Sequence, residues 1–186
     1  VTVLEGSGGG DDLADARRMA EAESRCSGEE RYVRLRTAGV DLRVPREGAA
    51  LQGTASRVWE CGVALAMGLD WAGVRLAGVK CVELGAGSGL AGAAAAYLGA
   101  DVLLTDVDEA ATAACVEEHA EAAGRAGGSL RSAVLDWRVD DTHRQQQLYK
   151  CHLILAADSI YHRDALEPWL ATVDTARNKT PGALLL

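Results

Sequence analysis

Residues 81–90 read CVELGAGSGL and continue as AGAAAAYLGADVLLTD to residue 106. An apolar run enters a glycine loop, an alanine-rich stretch of helical character follows, and a second apolar run ends on an acid. This is the grammar of a buried strand, a tight turn, a helix and a second parallel strand. Successive glycines let the chain turn sharply and let a ligand approach the backbone, while the N-terminus of the following helix offers N–H groups without helical partners. The stretch therefore predicts an α/β fold with a nucleotide cradle at the end of its first core strand.

The glycines alone leave the nucleotide open. Gly87, Gly89 and Gly92 satisfy G-x-G-x-x-G, the dinucleotide fingerprint, and a tight turn that only packs helix on strand would use the same residues. Two acids shift the balance. Glu83, near the end of a buried strand, is costly unless its carboxylate meets donors or a cation, which suits a cofactor bearing an amino acid better than a pyrophosphate. Asp106 follows Gly89 at close to the spacing of about 20 residues expected for a carboxylate on ribose hydroxyls. It could also cap the next helix, although Asp108 is the better cap candidate. LDW at 135–137 and AADSIY at 156–161 set polar and aromatic residues just after two later strands, where an open α/β sheet surrounds its ligand crevice. Together these features suggest S-adenosylmethionine and methyl transfer.

Outward from this core, strands are predicted over 79–84, 102–105, 130–135 and 151–157, and helices near 90–98, 109–123 and 168–176, with a last apolar run from 183. Such alternation means a doubly wound, mostly parallel sheet. Gly124 is the expected C-cap of the helix before it, and Pro168 suits a first helical position. Upstream, RYVRLRT and VDLRV alternate around Ala38 and Gly39 as a hairpin. Val58, Cys61, Leu65 and Leu69 recur at helical spacing in a helix over 54–69, with Thr54 or Ser56 as its cap. Residues 1–30 are Gly-rich and then charged, and are expected to be mobile or to form a loosely docked helix. The link from 138 to 150 reads as a polar loop.

The chain of 186 residues, 48% hydrophobic, supports one domain with a real core. Its 19 basic and 27 acidic residues give a net charge of -8, which argues against a general binder of nucleic-acid backbone. Five scattered cysteines without C-x-x-C spacing indicate neither a disulfide framework nor a zinc site, and favour a reducing compartment, cytoplasmic or nuclear. No apolar run approaches the roughly 18 to 20 residues needed to span a bilayer, and the N-terminus carries no signal-peptide pattern. The start at Val and the stop within an apolar run suggest a fragment of a longer chain. His119, His143, His152 and His162 have no metal-ligand spacing and read as surface or strand-end residues, and Glu117, Glu118 and Glu121 as a solvated helix face; no metal is expected.

On these motifs the chain resembles the seven-strand (class I) S-adenosylmethionine-dependent methyltransferases, and within them the protein-lysine methyltransferases of the methyltransferase-like 21 family. The carriers are VWECGVAL at 58–65, ELGAGSGLAG at 83–92, LGADVLLTD at 98–106, LDW, and ADSIYHRDALEPWL at 157–170, whose Asp158 and Tyr161 match the family's D-x-x-Y. The resemblance covers roughly 31–186: an N-terminal hairpin and helix over 31–70 and a Rossmann-like core over 71–186 that stops near its fifth strand, with the family's C-terminal strands missing. It implies S-adenosyl-L-methionine as cofactor and S-adenosyl-L-homocysteine as product. Trp59 would close over the cofactor, Glu83, Gly85, Ala86 and Gly87 would line its methionine side, and Asp106 would hold ribose. Asp136 and Trp137 would border adenine, and Ala157, Asp158 and Tyr161 the methyl-transfer mouth. Where relatives carry asparagines after the second core strand, this chain has Glu118, His119 and Glu121.

The resemblance further implies a lysine side chain of a protein as acceptor, in a partner such as a chaperone, an AAA ATPase or a translation factor, and a monomeric enzyme. Asp158 would receive the incoming ammonium and Tyr161 would stabilise its charge. The alternatives are a histidine, N-terminal amine or small-molecule acceptor, a silent methyltransferase fold serving as a binding module, and a nicotinamide-dependent oxidoreductase.

Overall fold

The computed structural model describes residues 31–36, 38–44, 58–139, 148 and 150–186. The 1–30 segment, the Thr54 and Ser56 caps, His143 and most of the 138–150 link lie outside the described residues. Strands β1 (Arg31–Leu35) and β2 (Val40–Val44) form the expected antiparallel hairpin, with Gly39 at φ 68° donating to the Arg36 carbonyl at 3.2 Å. The core runs α1 (Glu60–Trp71), β3 (Lys80–Leu84), α2 (Leu90–Tyr97), β4 (Asp101–Asp106), α3 (Glu109–Arg125), β5 (Ser129–Val134), β6 (Leu153–Leu155), a 3-10 turn at Arg163–Ala165, α4 (Leu166–Lys179) and β7 (Leu184–Leu185). The sheet order is β5-β4-β3-β6-β7, every described pairing in it is parallel, and helices cover both faces. This is the Rossmann-like architecture expected from the alternation of strands and helices.

Side chains alternate across the sheet and divide the core in two. Cys81, Val102, Leu104, Leu153 and Leu155 face α2, α3 and the hairpin, whereas Val82, Leu84, Leu103 and Ile154 face Trp169, Val173 and Ala176 of α4. Each fully buried aliphatic side chain contributes about 1.5–3 kcal/mol. Helix α2, LAGAAAAY, is buried on all sides. Its small residues allow it to lie against the sheet while α1 and α3 flank it; a helix apolar all round is a helix that nothing leaves in water.

Several boundaries differ from expectation for physical reasons. Helix α1 begins at Glu60, with Trp59 in extended conformation at its N-cap. Helix α3 runs past Gly124 to a C-cap at Ala126, and Gly127, at φ 91°, supplies the left-handed turn. Helix α4 starts two residues before Pro168, which still sits among the first positions, where no intrahelical N–H bond is lost. The expected strand over 151–157 pairs only over Leu153–Leu155. His119 is buried, not at the surface: its ring meets Tyr97 edge-on at 6.0 Å, and burial lowers its pKa. With the Arg43–Glu118 ion pair at 3.2 Å, this part of α3 meets the end of the hairpin and lies away from the cleft described next.

Candidate active site

Strand order reverses at β3, whose neighbours β4 and β6 lead to opposite edges, and a cleft of about 310 Å³ opens beyond the strands' C-terminal ends there. Open α/β sheets take their ligands at this position. The eleven residues singled out from the sequence, Trp59, Glu83, Gly85, Ala86, Gly87, Asp106, Asp136, Trp137, Ala157, Asp158 and Tyr161, all line this cleft.

The floor is the loop from β3 to α2. Ala86 N–H donates to the Thr105 carbonyl at 2.9 Å, and the Thr105 hydroxyl donates to the Glu83 carbonyl at 2.6 Å, so the loop is tied to β4. Gly85 requires its glycine twice over: its φ is 66°, and a Cβ would stand 2.8 Å from Ser159 Cβ and 3.0 Å from the Trp137 ring. Gly92 serves differently. It lies in the first turn of α2, where a Cβ would meet Leu104 at 2.3 Å and the Glu83 carboxylate at 2.6 Å. The third glycine of the apparent dinucleotide fingerprint is thus a packing residue against β4.

Glu83 is buried, and its Oε2 accepts the Gly92 N–H at 2.8 Å, capping a helix whose N-cap residue, Gly89, has no side chain. Burial pushes its carboxyl up to about 8; the Gly92 N–H opposes this and the charge of Asp106 adds to it. Asp106 accepts from Gly87 N–H at 2.8 Å and Asp108 N–H at 2.9 Å, which locks the glycine loop against the end of β4. Asp108 itself caps α3, accepting from Ala110 and Ala111, as its position suggested.

Beyond β5, Asp136 is gripped by Arg138, and Trp137 packs over Gly85 with its indole N–H buried and without a partner among the described residues. Trp59 is 42% exposed at the cleft wall and is not a core residue. Across the cleft, Asp158 takes a left-handed φ of 50°, which Asp tolerates better than most residues. A hydrogen bond to the Asp158 carboxylate raises the pKa of the exposed Cys61 thiol. Tyr161 is 63% exposed and packs on His162, ring centroids 4.7 Å apart.

Cys61, Arg138 and Asp164 also line or border this site without a sequence signature of their own. The first two draw meaning only from carboxylates that the fold brings beside them, and the signal for Asp164 was no more than an acid near the D-x-x-Y motif. Six carboxyl groups line the cleft (Glu83, Asp106, Asp108, Asp136, Asp158 and Asp164) against one guanidinium, Arg138, among the described residues. That donor and acceptor set, with a close-approach glycine floor and a buried unpartnered indole, fits a cationic nucleoside bearing an amino acid. It fits a pyrophosphate poorly.

The comparisons agree in kind. A sequence model of the family described as lysine methyltransferase matches residues 38–186. The chain is 33% identical over 130 residues to EEF1A lysine methyltransferase 3 of Mus musculus, covering 70% of this chain and 52% of the relative. It is 34% identical over 122 residues to Protein N-lysine methyltransferase METTL21A of Danio rerio, covering 66% and 55%. The chain thus matches over about half the length of these relatives. Among solved structures, a SAM-dependent methyltransferase from Agrobacterium tumefaciens shares the fold, with a TM-score of 0.57 and 20% identity over 87% of this chain and 52% of that one.

Proposed function

Since the chain belongs to the lysine methyltransferase family, we propose that it transfers a methyl group from S-adenosylmethionine to a lysine side-chain amine of a protein. The observation that carries this reading is the excess of carboxyl groups around the cleft at the sheet's switch point. Donor and acceptor are both cationic, and one acidic cleft serves both.

The cofactor supplies a methyl already made electrophilic by its sulfonium sulfur. The chain's residues need only bind, orient and desolvate. Glu83 and the Gly85–Gly87 backbone take the amino-acid end, Asp106 the ribose hydroxyls, and Asp136 and Trp137 the base, while Trp59 covers the cofactor. Asp158 receives the acceptor ammonium at the opposite lip, and the Tyr161 ring stabilises its charge. Burial of that amine beneath the acceptor protein lowers its pKa against the pull of the Asp158 carboxylate, so that a proton passes to solvent and the nitrogen lone pair becomes available for the methyl. The names of the two relatives point to protein substrates, and elongation factor 1A, named in one of them, is the first partner to test. A reducing compartment, the cytosol or the nucleus, completes the reading; the unpaired thiols Cys61, Cys81, Cys115 and Cys151 support it.

Calorimetric titration of S-adenosylmethionine, S-adenosylhomocysteine and NAD into the chain and into Asp106→Ala tests the cofactor. The adenosyl ligands bind the unsubstituted chain and weaken at least tenfold in the variant, about the 1.5–3 kcal/mol of a hydrogen bond to a charged group. Binding of NAD alone would contradict the reading.

A further inference from the structure

Three carboxylates stand at the C-terminal ends of three adjacent parallel strands: Glu83 on β3, Asp106 on β4 and Asp136 just past β5. Neighbouring strands lie about 4.8 Å apart, so an elongated ligand lying across the strand ends meets the three in that order. The first two are held by backbone: Glu83 by Gly92 N–H, Asp106 by the N–H groups of Gly87 and Asp108. Asp136 is held by a side chain as well as by backbone. Arg138 Nε donates to Oδ1 at 2.9 Å, its Nη2 to Oδ2 at 2.9 Å, and its backbone N–H to Oδ1 at 3.0 Å. A two-pronged guanidinium bond fixes the plane of a carboxylate as well as its position.

We infer that Arg138 is a positioning residue: by gripping Asp136 it holds that carboxylate as the reader of the amino-bearing edge of the cofactor's base. The inference rests on the proposed reading that S-adenosylmethionine occupies the cleft with its base over β5. An ionised carboxylate can only accept hydrogen bonds. Adenine presents an N–H donor at its amino group and satisfies it; hypoxanthine presents a carbonyl oxygen there and sets acceptor against acceptor. A site built to bond a donor rejects the analogue that lacks it. Arg138 cannot itself be the reader, since a guanidinium has only donors and would favour the carbonyl. Asp136 itself favours the charged guanidinium, and Asp164 and Tyr161 add to this.

The pair is well suited to a test because it adds little to stability. The Arg138 side chain is 61% exposed, and an exposed ion pair between near neighbours contributes about 0–1 kcal/mol. The experiment titrates S-adenosylhomocysteine and its hypoxanthine counterpart, S-inosylhomocysteine, into the full chain, Arg138→Ala and Arg138→Lys, with melting temperatures of the same samples. The unsubstituted chain prefers the adenine ligand. Arg138→Ala weakens it by about 5- to 10-fold, the greater part of one charge-assisted hydrogen bond, leaves the hypoxanthine ligand nearly unchanged, and melts as the parent does. Arg138→Lys, which keeps the charge without the fork, falls between. Equal adenine affinity in Arg138→Ala overturns the inference, as does an equal loss for both ligands with a fall in melting temperature, which marks a structural role. If the unsubstituted chain binds both ligands equally, the base-reading inference fails while the cofactor reading survives. If it binds neither, the cofactor reading fails and takes the inference with it.

Discussion

The amide of Gly92, in the first turn of α2, donates at 2.8 Å to Oε2 of Glu83, a carboxyl buried on the neighbouring strand β3. One oxygen thus caps a helix that has no capping side chain of its own, and the same carboxyl borders the cleft. Its burial gives two measurable consequences.

The first is pH-dependent stability. Glu83 titrates near 8 in the folded chain against an ordinary value of 4.5. The folded state therefore binds the proton more tightly than the unfolded state. The stability this contributes is fully present below pH 4.5, declines as the unfolded chain ionises, and is gone once pH has risen through about 8. The loss is on the order of a few kcal/mol. Glu83→Gln keeps an oxygen for Gly92 and cannot ionise, so it matches the parent at low pH and exceeds it in stability at pH 8. Denaturant melts across that range check this; parallel curves for the two proteins would contradict it.

The second is proton release. A cationic amine placed against Glu83 favours its ionised form. Binding S-adenosylhomocysteine near neutral pH should then release up to about one proton, and affinity should rise as pH approaches 8. Calorimetry in two buffers of different ionisation enthalpy reads the proton directly. Buffer-independent heats would sink the assignment of Glu83 to the amino-acid end.

The glycines separate into classes that substitution can tell apart. Gly85→Ala places a Cβ at φ 66° against Ser159 and Trp137, and should cost about 1–2 kcal/mol from backbone conformation alone, with loss of cofactor affinity. Gly92→Ala meets Leu104 and Glu83 and should destabilise by about 1–3 kcal/mol through overpacking. Gly124→Ala, in the last turn of α3 with open space around it, should stabilise by roughly 0.5–1 kcal/mol. Thermal melts of the three variants check the order, and a neutral Gly92→Ala would contradict the packing role.

Asp158 occupies left-handed backbone. Asparagine tolerates that region as Asp does, so Asp158→Asn should melt normally and bind S-adenosylhomocysteine normally while losing methyl transfer. Asp158→Val adds backbone strain of about 1–3 kcal/mol and should lower the melting temperature. Undiminished transfer in Asp158→Asn would remove the carboxylate from the acceptor side.

What the sequence made legible was local. The order of strands and helices, the glycine loop and the acids at strand ends all follow from apolar periodicity and from residues whose chemistry is expensive to bury. Glu83 stood out because a carboxylate in an apolar run needs a reason. Three things were not legible. Helix α1 starts at Glu60, since Trp59 has extended backbone at the cleft wall, and helical spacing alone does not show this. His119 reads as a polar position on an exposed helix until the fold sets Tyr97 of α2 against its ring. Arg138 has no signature at all: its meaning comes from turning back onto Asp136, a choice the side chain makes only in the folded loop.

The most direct measurement incubates the chain with methyl-tritiated S-adenosylmethionine and a protein extract, hydrolyses the labelled proteins to amino acids and identifies the one carrying tritium. Label is expected in N-methylated lysine, absent with Asp158→Asn. Label in methylhistidine, or no label above that variant's background, would contradict it.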